Sequence, residues 1–136
     1  MGLFGIFDVS GSAMNAQSVR LNTVSSNLAN ADSVSGNPDQ VYKAKSPVFE
    51  TMLKQASNSN TVGVKVKQII ESEAPPLVRF EPNHPLADAQ GNIYLPNINT
   101  IEEMANMMSA SRTYQNNVEV FNTTKQLLMA TINMGR

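Results

Sequence analysis

Apolar residues recur at helical intervals at both ends of this chain, and that commits both ends to long helices. Phe7, Met14, Leu21 and Leu28 stand seven residues apart, and three residues after each come Ser10, Gln17, Val24 and Ala31. This is a heptad with one apolar position and one mixed position, and it predicts a helix over 5–31. Near the other end, Met104, Met107, Ser111, Tyr114, Val118, Phe121, Lys125, Leu128 and Ile132 keep an alternation of three and four, and Ile101 and Met108 widen the stripe. They predict a second helix over 100–134, with Thr100 as N-cap and Glu103 completing a capping box. At about 1.5 Å per residue it would be roughly 50 Å long.

The middle cannot be helical over any length. Gly36 and Pro38 end the first helix, and Pro75-Pro76, Pro82, Pro85 and Pro96 punctuate the rest of the central region. Residues 61–70 read as a strand, with Val62, Val64, Val66, Gln68 and Ile70 on one face. Residues 92–95 read as a second, short strand, and Ser57-Asn58-Ser59-Asn60 as an exposed loop tip. The expected organisation is an N-terminal assembly helix (1–36), a central β-rich or loop region (37–99) and a C-terminal assembly helix (100–136). The expected fold is mainly α: two terminal helices packed as an antiparallel coiled-coil-like hairpin, with the middle as an outgrowth at its far end.

Charge narrows the function classes. There are 10 basic and 11 acidic residues, and charged side chains make up only 15% of the chain. No basic stripe is visible, so nucleic acid is not an expected partner. Asn, Ser and Thr carry the polarity, and the only charges in residues 1–31 are Asp8 and Arg20. A solvated helix face normally carries Lys and Glu. A neutral one suits burial against neighbours, and the terminal helices are expected to become fully ordered only when neighbours cover them. Leu3, Phe4, Ile6 and Phe7 form an apolar cluster, but Arg20 is the sole cation of this helix, so direct lipid binding is not expected. The N-terminus lacks a basic region and Asp8 breaks its apolar run, so no cleaved secretory signal is expected.

Chemistry is thin. Absence of cysteine rules out disulfides and thiolate ligands. His84 is the only histidine and reads as a turn residue, while Glu102-Glu103 suits the dipole at a helix start. No phosphate loop or nucleophile motif is present. Neither catalysis nor a cofactor or metal is expected.

The run 12–31, above all Ser26-Asn27-Leu28-Ala29-Asn30-Ala31-Asp32, resembles the N-terminal signature of flagellar axial proteins. The run from Glu102-Glu103-Met104 through Ser109-Ala110-Ser111-Arg112-Thr113-Tyr114-Gln115-Asn116-Asn117-Val118-Glu119-Val120 resembles their C-terminal signature. Within that family, Glu81-Pro82-Asn83-His84-Pro85-Leu86-Ala87-Asp88 and Gly91-Asn92-Ile93-Tyr94-Leu95-Pro96-Asn97-Ile98-Asn99 are similar to the proximal-rod type, the FlgC type. The chain departs from the usual pattern at Ser33, where Thr is common, and at Lys43-Ala44-Lys45, where the segment is often more basic.

The resemblance implies a structural subunit of the basal-body rod, exported through the flagellar type III channel and polymerised helically into the drive shaft. It implies as partners other rod proteins and copies of the chain itself. It also implies base components (MS-ring, export gate, rod-base adaptor) and a surrounding ring or bushing. The residues expected at the assembly interface are Phe7, Met14, Leu21, Val24 and Leu28 on the first helix. On the second they are Met104, Met107, Met108, Tyr114, Val118, Phe121, Leu128 and Ile132.

Overall fold

The computed structural model describes residues 3–56 and 59–135. Helix α1 (Leu3–Asn30) leads through a 3-10 turn (Pro38–Gln40) into strands β1 (Lys45–Ala56), β2 (Ser59–Glu71), β3 (Leu77–Phe80) and β4 (Asn92–Leu95), and the chain closes with helix α2 (Thr100–Met134). Long helices at the two ends with a small antiparallel region between them is the expected architecture.

The helices pack against each other in opposite directions. Phe7 meets Phe121 edge-on at 4.8 Å between ring centroids, the Arg20 guanidinium donates to Asn106 Oδ1 at 2.9 Å, and Asn27 Nδ2 donates to Glu103 Oε2 at 3.0 Å. Partner numbers fall on α2 as they rise on α1, which is an antiparallel pair.

The cap of α2 differs from expectation. Asn99, not Thr100, is the N-cap: its side chain accepts from the amides of Ile101 and Glu102, and Thr100 is the first helical residue. Asn offers a carbonyl at the right reach for the second and third helical amides, and its extended backbone suits the entry. Glu103 therefore does not close a capping box with Thr100, and its carboxylate is engaged by Asn27.

The middle is not an outgrowth at the far end of the helix pair. β1 and β2 form a long antiparallel hairpin that lies back along α1. At one end of that contact Asn27 holds both main-chain groups of Lys45, and at the other Ser12 Oγ accepts from the Val64 amide at 3.2 Å. Gly63 allows this approach, because a Cβ there would stand 3.0 Å from Ser12 Oγ. α1 is thus covered by α2 and by the hairpin, which is why its surface carries almost no charge. Ser57 and Asn58 of the expected loop tip lie outside the described residues, and Ser59 and Asn60 open β2.

The alternation expected over 61–70 is broken by a bulge. Val48 pairs with Gln68 but Phe49 pairs with Val66, so Lys67 is an extra residue on β2. Parity reverses there. Val64 and Val66 are half-buried, whereas Gln68 and Ile70 are exposed.

β3 and β4 make a second two-stranded sheet, and Ser35 adds a bridge to the free edge of β4 by exchanging both main-chain bonds with Tyr94 at 2.9 Å. Ile93 on β4 is fully buried. The loop before β4 is tied by Asp88, whose Oδ1 accepts from the amides of Gln90 and Asn92 and whose Oδ2 accepts from the Tyr94 hydroxyl. These bonds, led by that from Asn92, hold the Asp88 carboxyl below its ordinary value, and the same contact raises the Tyr94 phenol. Gly91 takes φ 81° at the turn, where a side chain would also press on Phe80 and Pro82.

Candidate assembly interface

The α1–α2 seam is built mostly from small and polar residues. Ser10, Val24 and Ala31, three of the four mixed heptad positions, are buried, as are Ala16, Thr23 and Asn27. The apolar heptad residues Phe7, Met14, Leu21 and Leu28 are only half-buried. Small side chains let α2 and the hairpin approach α1 closely from two sides, and the larger ones fill the margins. Gln17, the fourth mixed position, has its Oε1 buried with no partner among the described residues.

On α2 the covered positions include Glu103, Asn106, Met107, Ala110, Ser111, Thr113, Asn117, Phe121, Thr124 and Leu128, spaced mostly by three and four. Thr124 is buried, and its hydroxyl is satisfied there by donating back to the Val120 carbonyl at 2.8 Å. Val118 is half-buried beside them, whereas Met104, Met108, Tyr114 and Ile132 are exposed. The thirteen residues singled out in the sequence therefore divide in two. Phe7, Met14, Leu21, Val24, Leu28, Met107, Val118, Phe121 and Leu128 are at least partly covered within one chain. Met104, Met108, Tyr114 and Ile132 face outward.

One central residue had no separate signal beyond its place in the N-terminal signature. Asn27 is 1% exposed and uses its whole hydrogen-bonding capacity. Its Nδ2 donates to Lys45 O and Glu103 Oε2, and its Oδ1 accepts from Lys45 N and the Tyr42 hydroxyl. Ser26 adds a 3.0 Å hydroxyl contact to Tyr42. One amide thus joins α1, α2 and the start of β1. The available hint was its spacing between Val24 and Ala31, which places a polar residue on the covered face.

The surface is large for the mass. It amounts to 9289 Å², against about 7,000 Å² for a compact 14.8 kDa monomer. Large apolar side chains are exposed on it: Ile101, Met104, Met108, Val120, Leu127, Met129, Ile132 and Met134 on α2, Leu53, Val62, Ile69 and Ile70 on the β1–β2 hairpin, and Leu77, Val78 and Phe80 on β3. Among the described residues, no helix is long and apolar enough to cross a membrane.

Known proteins share this plan. Residues 7–36 match the family described as flagella basal body rod protein, and residues 89–134 match the C-terminal family of the flagellar basal body rod FlgEFG proteins. Over the full length of both chains, this chain is 52% identical to the flagellar basal-body rod protein FlgC of Escherichia coli O6:H1 and 51% identical to that of Salmonella typhimurium strain LT2. The FlgC of Buchnera aphidicola subsp. Baizongia pistaciae is 33% identical, also over the full length of both. The chain belongs to the flagellar basal-body rod proteins of the FlgC type, a family of structural subunits and not of enzymes.

Proposed function

We propose that this chain is a subunit of the proximal rod, polymerising helically with copies of itself and with other rod proteins into a torque-transmitting shaft around an axial export channel. The observation that carries this reading is the surface excess. Roughly 2,300 Å² beyond a compact monomer is the scale of a stable protein–protein interface, and large apolar side chains are exposed both on the terminal helix α2 and on the strands of the middle region. A contact that repeats without closing builds a helical tube. Low charge limits repulsion between like subunits in such a tube.

In this reading the terminal helix pair acts as a short coiled-coil-like strut, with units 1–36 and 100–136 assembling and 37–99 dressing the strut. The outward residues Met104, Met108, Tyr114 and Ile132 meet neighbours directly. The half-covered ones, from Phe7 to Leu128, complete the same contacts at the seam margins. The partners at the base are the MS-ring, export gate and rod-base adaptor, with a ring or bushing around the shaft. The chain reaches them through the flagellar type III system without a cleaved signal.

Deletion and complementation test this. Cells lacking the chain should retain inner rings but lose rod and hook by electron cryotomography, and the wild type should restore them. Met104→Asp, Met108→Asp and Ile132→Asp lie on exposed sites, so each chain should fold and be exported yet fail to build rods. Normal motility in all three would refute the interface assignment. Intact flagella in the deletion strain would refute the rod role.

A further inference from the structure

The chain has neither cysteine nor tryptophan, so its thioethers are the side chains most open to two-electron oxidation. They divide by position. Among the described residues Met14, Met52 and Met107 are half-buried, and Met104, Met108, Met129 and Met134 are exposed. All four exposed ones lie on α2. Met129 and Met134 stand on different sides of its last turns. Met104 and Met108 are neighbours, because a spacing of four brings them together on one face, and Ile101 continues the row. They are 55% and 61% exposed, and Ile101 is 79% exposed. Glu103, Ala110 and Asn117 run along the far side of the helix, on the seam with α1. Met107 is next to Met108 in the chain but turns toward that seam and is half-buried.

A thioether suits an apolar contact between chains, because it is soft and adapts to irregular shapes. A sulfoxide is polar and does not. Hydrogen peroxide makes the change in one step. A sulfur lone pair attacks one peroxide oxygen, an S–O bond forms and the O–O bond breaks. The departing hydroxide takes the proton from the new S–OH group and leaves as water. Sulfur loses two electrons and the peroxide gains them. The product carries a strong acceptor oxygen, which is costly to cover without a donor. A row already covered by a neighbour gives the oxidant no access.

We infer that Met104 and Met108 form an oxidation site of the free chain, where peroxide converts both thioethers to sulfoxides and withholds that chain from assembly. The inference rests on the rod reading above and adds a chemical control on it. Methionine sulfoxide reductases reverse the modification, so the withheld chain is recoverable.

The purified chain is treated with dilute hydrogen peroxide, and each methionine is followed by peptide mass spectrometry. Met104 and Met108 should oxidise about fivefold or more faster than Met107, and the difference should vanish in urea. Equal rates at Met107 and Met108 in the folded chain would overturn the site. For the effect on assembly, a tagged chain is expressed in reductase-deficient cells ahead of the other flagellar genes. The cells are exposed to peroxide, the oxidant is destroyed, and the remaining genes are then induced. Sulfoxide at Met104 and Met108 should be about fivefold scarcer in isolated basal bodies than in the unassembled pool. Equal abundance in the two would overturn the control on assembly and leave the rod reading standing. Absence of the unoxidised tagged chain from basal bodies would overturn the rod reading and this control with it.

Discussion

At the scale of single residues, buried polar groups hold the fold as firmly as apolar ones. Asn27→Ala removes four hydrogen bonds and strands the Lys45 main chain. It should cost about 2–4 kcal/mol in urea unfolding of the purified chain, and a loss below half of that would show that the three elements are held by other contacts. Gly36 is constrained by space, since a Cβ would lie 2.6 Å from the Leu86 carbonyl oxygen. Gly36→Ala should cost about 1–3 kcal/mol by the same assay.

Asp88 and Tyr94 make the β3–β4 loop sensitive to pH from both sides. The Asp88 carboxyl is depressed from 3.8, so its stabilisation is present above that value and is lost as pH falls through the lower folded-state value. The Tyr94 phenol is raised from 10.0, so its share is present below that value and is lost as pH rises through the higher one. Amide exchange at Gln90 and Asn92, corrected for intrinsic rates, should be flat from about pH 5 to 9. It should accelerate in acid below that window, and an unchanged protection factor at pH 2 would contradict the role given to Asp88.

At the scale of elements, the second helix shows how far periodicity carries. Both stripes on α2 follow steps of three and four, but the seam that meets α1 runs through Glu103, Ala110, Asn117 and Thr124, about one residue before Met104, Ser111, Val118 and Lys125. The apolar pattern marked Met107, Phe121 and Leu128 on this seam but passed over Glu103, Ala110, Asn117 and Thr124, because small and polar residues leave no apolar signal where the helices approach most closely. The hairpin was half legible. Valines announced β2, but Pro47 and mixed composition concealed β1, whose pairing with β2 supplies the order that its own sequence does not. Amide exchange on purified chain should separate the parts of α2. Residues 103–121, packed on α1, should exchange at least tenfold more slowly than residues 129–134, which are all exposed. Equal protection along the helix would mean that these last turns are covered in the free chain.

At the scale of the whole molecule, the core is thin. Among the described residues Ile93 and Asn27 are its largest fully buried side chains, while much larger apolar residues remain exposed. On the proposed rod reading such a chain has little stability to spare alone and gains it from neighbours. Ile93→Ala should cost about 2–4 kcal/mol and reduce the folded fraction of free subunit much more than that of assembled subunit, as measured by proteolysis of the chain in solution and in isolated basal bodies. Equal susceptibility of the two forms would argue against stabilisation by assembly.

The sequence by itself determined the helices at the two ends, the break between them and the family, because heptad spacing, proline placement and the terminal signatures are local properties of the chain. Tertiary structure alone decided that the hairpin lies along α1, that Asn27 joins three elements and that α2 is exposed on all sides from Met129 to Met134. Those outcomes depend on which surfaces meet across dozens of residues. Close approach there is governed by small side chains and satisfied polar groups, which leave little mark on a hydrophobic pattern.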